Sequence, residues 1–117
     1  MRVTEIHYPG SPPVDGYGPG FFRVGGQVHR GALLLLPDGI QPWGGFEDLE
    51  PILEQRAAID VLLMGMGAEI RALPSDVRAR LEGAGIGVEI MASPPACRTY
   101  NVLLGEGRRV AAALIPV

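Results

Sequence analysis

The feature that most constrains this chain is the run Ile59-Asp60-Val61-Leu62-Leu63-Met64, closed by Gly65-Met66-Gly67. Strict alternation is absent, so a strand built from it is covered on both faces. The run is too short for a buried helix of ordinary length, and Ile59 and Val61 are β-branched. Helical patterns lie on both sides of it, and a buried strand between helices marks an open α/β sheet. Ligands of such sheets gather beyond the carboxyl ends of the strands. Gly65, Met66 and Gly67 are therefore candidate site residues, with a plain glycine turn as the competing reading. No third glycine opens a helix here, so the motif is not a dinucleotide fingerprint.

From the N-terminus, residues 3–8 alternate weakly and predict a short edge strand. Pro9 to Gly20 holds four prolines and four glycines and reads as an irregular arm, not a strand. Phe21–Val24, Gly25-Gly26 and Gln27–His29 read as a hairpin with a two-glycine turn. Ala32–Leu36 is an apolar strand stopped by Pro37-Asp38-Gly39, and Gly39–Gly45 is loop. Asp48 is placed to cap a helix reaching about Arg56, with Leu49, Ile52 and Leu53 on its buried face. The strand ending at Gly65 is then the central one. Ser75 caps a second helix that buries Val77, Leu81 and Ala84. Gly87–Met91 is a strand. Ser93-Pro94 starts a third helix, with Ser93 as N-cap and Pro94 at its first position, running to about Leu104. Arg109–Ile115 is the final strand.

The whole chain, residues 1–117, reads as a single domain. Its net charge is −3 and its pI about 5.3, which argues against nucleic acid or an anionic membrane as partner. All ten basic residues are arginine, which removes lysine Schiff-base chemistry and a Walker lysine. One cysteine excludes an intrachain disulfide and a cysteine-rich zinc site. No apolar segment approaches a membrane span, and signal-peptide features are missing, so the expected location is cytoplasmic.

Cys97 falls near the start of the third predicted helix, where backbone N–H groups, the helix dipole and Arg98 favour a thiolate. The alternative is packing: Ala96, Tyr100 and Leu103 define the buried stripe, and Cys97 sits on its flank. Asn101 lies one turn further on, but a Cys–Asn pair lacks a base. His7 or His29 would have to meet Cys97 in space to supply one. Ligation of a metal by these histidines and a carboxylate has no support in their spacing. Arg98, with Arg108 and Arg109, offers an anion or partner surface or simply a solvated face. Phe21, Phe22 and Trp43 form either a contact patch or core.

The stretch from Ala96-Cys97-Arg98-Thr99-Tyr100-Asn101 through Gly105-Glu106-Gly107-Arg108-Arg109 to Leu114 is more specific. It resembles the signature of the Mth938-like domains, a family of small, mostly uncharacterised proteins. That family includes the mitochondrial respiratory complex I assembly factor three and the vertebrate adipogenesis-associated domain protein. Phe21–Gly26, Trp43, Asp60–Gly67, Pro74 and Gly85–Met91 follow in the family's order. The resemblance implies an α/β fold of three layers: a central mixed five-stranded sheet flanked by helices, with an additional β-hairpin layer. It also implies a last strand antiparallel to the others. Two positions depart from the family pattern. Met91-Ala92-Ser93 stands where an Asp-Thr pair follows Met, and Met66 replaces the hydroxyl residue of a Gly-Thr-Gly turn. Both departures remove polar groups beside the expected site.

The resulting expectation is a non-catalytic binding or assembly module without a cofactor, holding a protein partner near Gly65, Met66, Gly67, Ser93, Cys97, Arg98 and Asn101. The alternative is a small-molecule or redox site in which Cys97 is the thiol, and Arg98 with the helix N-terminus binds an anion. An exposed edge strand leaves pairing with a second copy open.

Overall fold

The structure, a computed structural model, describes residues 10–117. The strand expected over residues 3–8, with His7, lies outside them. Eight strands are seen among the described residues: β1 (Val14–Gly18), β2 (Phe21–Val24), β3 (Gln27–Arg30), β4 (Leu33–Leu36), β5 (Gly39–Pro42), β6 (Val61–Met66), β7 (Gly87–Met91) and β8 (Val110–Ile115). The helices are α1 (Glu50–Glu54), α2 (Ser75–Gly83) and α3 (Ser93–Gly105), with a 3-10 turn over Arg56–Ala58. The strands form a three-stranded sheet, β1-β2-β3, and a five-stranded mixed sheet, β5-β4-β8-β6-β7.

The four consecutive leucines of β4 show how the layers arise. A strand sends successive side chains to opposite faces. Leu34 and Leu36 join one core with Leu62, Met64, Ala111 and Ala113, beneath Leu49 at the start of α1, Ile52 within it, and Val77 and Leu81 of α2. Leu33 and Leu35 join the other, with Leu63, Ala112 and Leu114, beneath Ala96, Cys97 and Tyr100 of α3 and Phe22 and Val24 of the small sheet. Both faces of the large sheet are thus covered, which is why β4, β6 and β8 read as apolar runs without strict alternation.

Several expectations are corrected. The arm after Pro9 contains a strand: β1 pairs antiparallel with β2, with an irregularity between Val14 and Gly16. Gly16 and Gly18 lower the strand signal; the ring of Phe21 lies over Gly18, where a Cβ would have to push it aside. Gly39–Pro42 is an edge strand on β4, not loop. It carries a glycine and a proline because only one side of it is paired. Helix α1 is short, and Asp48 does not cap it. Its N-cap is Leu49, while the Asp48 carboxylate accepts the Gly44 N–H at 2.9 Å. Ser75 and Ser93 are first helical residues, behind the caps Pro74 and Ala92. The middle position of the large sheet belongs to β8, with β6 beside it. Finally, β8 is antiparallel to β4 but parallel to β6. Helix α3 carries the chain back across the sheet after β7, so β8 enters in the direction of β6.

Candidate functional site

The expected site lies where β6 and β8 end and α3 begins, and that crevice is filled by the chain itself. Ser93 donates its N–H to the Gly67 carbonyl at 2.7 Å. Its hydroxyl accepts the Gly67 N–H at 2.9 Å and donates to the Ile115 carbonyl. Ser93 is fully buried. A Cβ on Gly65 would stand 2.8 Å from the Ser93 Oγ and 2.9 Å from Leu114 Cδ2. Gly65 therefore lets α3 dock against the sheet, and Gly67, with φ of 96°, turns the chain away from it. Met66 is in the core under α1 and α2. The Ser93 side chain, which was expected to cap α3, instead ties two strand ends to the helix.

Further along α3, Cys97 is only 3% exposed and packs in the core. Burial pushes its thiol up to about 11, and the charge of Arg98 opposes this without prevailing. A thiol so held is neutral and inaccessible, so the thiolate reading finds no support here. Arg98 faces outward. Tyr100 is buried, and its hydroxyl donates to the Ser11 carbonyl at 3.2 Å. Ser11 in turn donates its hydroxyl to the Leu36 carbonyl at 3.3 Å. Asn101 makes a two-way bond with Val14, accepting its N–H at 2.8 Å and donating to its carbonyl at 2.9 Å. Tyr100 and Asn101 thereby clasp the segment Ser11–Val14 that leads into the small sheet. The sequence gives Asn101 a place beside Cys97 but no sign of its backbone partner, which lies 87 positions away.

The other candidates separate. His29 sits on β3 opposite Phe22, and its Nε2 is buried without a hydrogen-bond partner among the described residues. Among the described residues, no three His, Cys, Asp or Glu side chains converge as a metal site. Phe22 and Trp43 are core; Trp43 donates its indole N–H to the Asp48 carbonyl at 3.0 Å and meets Phe46 edge-on. Arg109 is bound to Asp60 at 2.7 and 3.2 Å and to the Ala57 carbonyl at 3.0 Å, and so is not free for an anion. That hydrogen-bonded guanidinium holds the Asp60 carboxyl below the usual carboxylate range. Of the seven residues expected at the site, six build a hydrogen-bonded or packed junction, and only Arg98 is exposed.

A mixed five-stranded sheet with α3 locked to it and a small sheet clasped at its side is the architecture of a Mth938-like domain. A Bordetella pertussis protein described as such a domain superposes with a TM-score of 0.78 at 27% identity, covering 99% of this chain and 91% of that one. A Bartonella henselae protein described as an outer membrane protein superposes with a TM-score of 0.85 at 41% identity, covering 93% and 98%.

The chain belongs to the family described as protein of unknown function DUF498/DUF598, whose model matches residues 14–115. An uncharacterised Rhodobacter capsulatus protein is 49% identical over all of this chain and 94% of its own length. The NADH dehydrogenase [ubiquinone] 1 alpha subcomplex assembly factor 3 of Danio rerio is 36% identical over 86% of this chain. The match spans 62% of that assembly factor. None of the described helices is long and apolar enough to cross a membrane.

Proposed function

We propose that this chain is a non-catalytic protein-binding module that holds a partner during assembly of a larger complex, in the cytoplasm. The observation that carries this reading is the 36% identity to an assembly factor over 86% of the chain. The geometry agrees with it, since the crevice that would hold a small molecule is occupied by Ser93. In this reading Gly65, Met66, Gly67, Ser93, Cys97 and Asn101 fix the position of α3, and Arg98 is its partner-facing residue. Val102, 60% exposed and one turn further along α3, adds an apolar contact beside it. The partner need not be the one the assembly factors serve, because a shared fold does not carry function with it.

Affinity capture from native cells tests the reading, with wild type, Arg98→Ala and Val102→Asp compared after each is shown to fold. A stoichiometric protein retained by wild type and weakened by both variants is the expected result. Absence of any partner, with and without cross-linking, overturns it.

A further inference from the structure

Among the described residues, nothing packs on the outer face of the small sheet in the two cores just described. The small sheet buries Phe22, Val24 and Val14 and turns its other side away from the core. Cross-strand register places Arg30 opposite Phe21, and Val28 opposite Arg23, on that outer side. The ring of Phe21 lies over Gly18, and β1 adds no side chain at Gly16 or Gly18. The result is a surface of one half-buried ring, Val28 at 48% exposure, and two exposed arginines. Asp15 is the one acidic residue in the three strands, and its carboxylate accepts the Gly26 N–H at 2.6 Å in the turn. No carboxylate pairs with Arg23 or Arg30 among the described residues.

Among the described residues, β3 is also an edge strand, paired with β2 alone. Gly25 and Gly26 have φ of 57° and 79°, the two-residue turn with both central residues left-handed. In such a hairpin the pair flanking the turn, Val24 and Gln27, exchanges hydrogen bonds, and the pattern then alternates. Gln27 and His29 therefore bond to β2, while Val28 and Arg30 direct their N–H and C=O groups to the side of β3 away from β2. The backbone groups that can accept a further strand thus belong to the same residues whose side chains form the apolar and basic face.

We propose that β3 and the outer face of β1–β3 dock an extended, acidic segment of a partner protein by strand addition. The segment's backbone pairs with Val28 and Arg30, its carboxylates meet Arg23 and Arg30, and its apolar residues cover Val28 and Phe21. The proposal rests on the protein-binding reading and names a second surface and its chemistry. A second copy of this chain is disfavoured as occupant: pairing β3 with itself doubles the arginines on one face and brings no carboxylate. Two arginines in an acidic chain without lysine are also a poor footprint for nucleic acid.

The probe is a synthetic peptide alternating glutamate and valine, with a lysine–valine analogue as control. Binding is followed by fluorescence anisotropy and by backbone amide shifts. Two variants are used. Val28→Pro removes an outward N–H and leaves the β2–β3 hydrogen bonds in place. Arg23→Glu/Arg30→Glu reverses the charge at exposed positions. Expected are binding of the acidic peptide, amide shifts centred on residues 27–30, and at least about tenfold weaker binding in each folded variant. The lysine analogue should not bind. No binding at about 1 mM peptide, shifts centred elsewhere, unchanged binding in the double variant, equal binding of the lysine analogue, or preference for an oligonucleotide of equal charge would each overturn the proposal. So would a dimer that Val28→Pro abolishes. A native partner captured equally well by wild type and the double variant overturns this surface while the assembly reading stands. Peptide binding at β3 with no native partner captured does the reverse.

Discussion

Ser93 is fully buried and carries three hydrogen bonds, and its hydroxyl is the hub between two strand ends and a helix. Replacing it by alanine leaves the Gly67 N–H and the Ile115 carbonyl unsatisfied in the interior. The expected cost is about 2–4 kcal/mol, measured by urea denaturation, because two buried groups each lose a partner. Threonine at 93 keeps the hydroxyl and should recover most of that loss if its methyl fits beside Gly65. Asp60 and Arg109 present the contrast. Their ion pair is short but more than half exposed, so water screens it, and its removal should change stability little.

At the scale of elements, the clasp from α3 to the small sheet is the feature to test. Asn101→Ala removes both bonds to Val14. The large sheet keeps its packing, so the loss should fall on β1–β3: faster amide hydrogen exchange across residues 14–30, with protection of β6 and β8 nearly unchanged. Equal acceleration everywhere would mean that the small sheet unfolds only with the whole domain. This clasp also marks where the sequence stops being legible. The apolar runs of β4, β6 and β8, the glycine turn of β2–β3 and the proline-led start of α3 are local signals, and each was readable. β1 was not, because Val14-Asp15-Gly16-Tyr17-Gly18 is a poor strand by composition and is held by β2 and by Asn101. β5 hid behind Gly39 and Pro42 for the same reason. Ser93 looked like a helix cap, since a serine before Pro94 fits that role, and only the tertiary approach of Gly67 and Ile115 redirects its hydroxyl. Asp48 likewise has the composition of a cap, but its carboxylate is engaged by the Gly44 N–H four residues earlier.

For the molecule as a whole, Cys97 and Tyr100 tie stability to alkaline pH. Burial raises the thiol from 9.0 to about 11 and the phenol from 10.0 to about 12. Between the ordinary and the raised values the unfolded chain has lost a proton that the folded chain still holds. Stability is therefore whole below about pH 9 and falls as pH rises, first through the thiol and then through the phenol. Each group removes on the order of 2–3 kcal/mol once its raised value is passed. Urea midpoints taken from pH 7 to 11 should show the decline, and Cys97→Ala should delete its earlier part. A flat profile to pH 10.5 in wild type would mean that the thiol is better solvated than its burial implies.

The position of β8 has a consequence for how the molecule comes into being. It joins β4–β5 on one side to β6–β7 on the other, and it is the last of the described elements in the chain. Until residues 110–115 are added, no strand joins β4–β5 to β6–β7, because β8 is the strand that pairs with both β4 and β6. Every pairing that unites them spans a long stretch of sequence, so closure is slow compared with forming the β2–β3 hairpin. A chain lacking β8 would leave the apolar edges of β4 and β6 unpaired, the kind of surface on which nascent chains aggregate. A chain similar to an assembly factor thus depends on its own last described strand to bring the two halves of its sheet together.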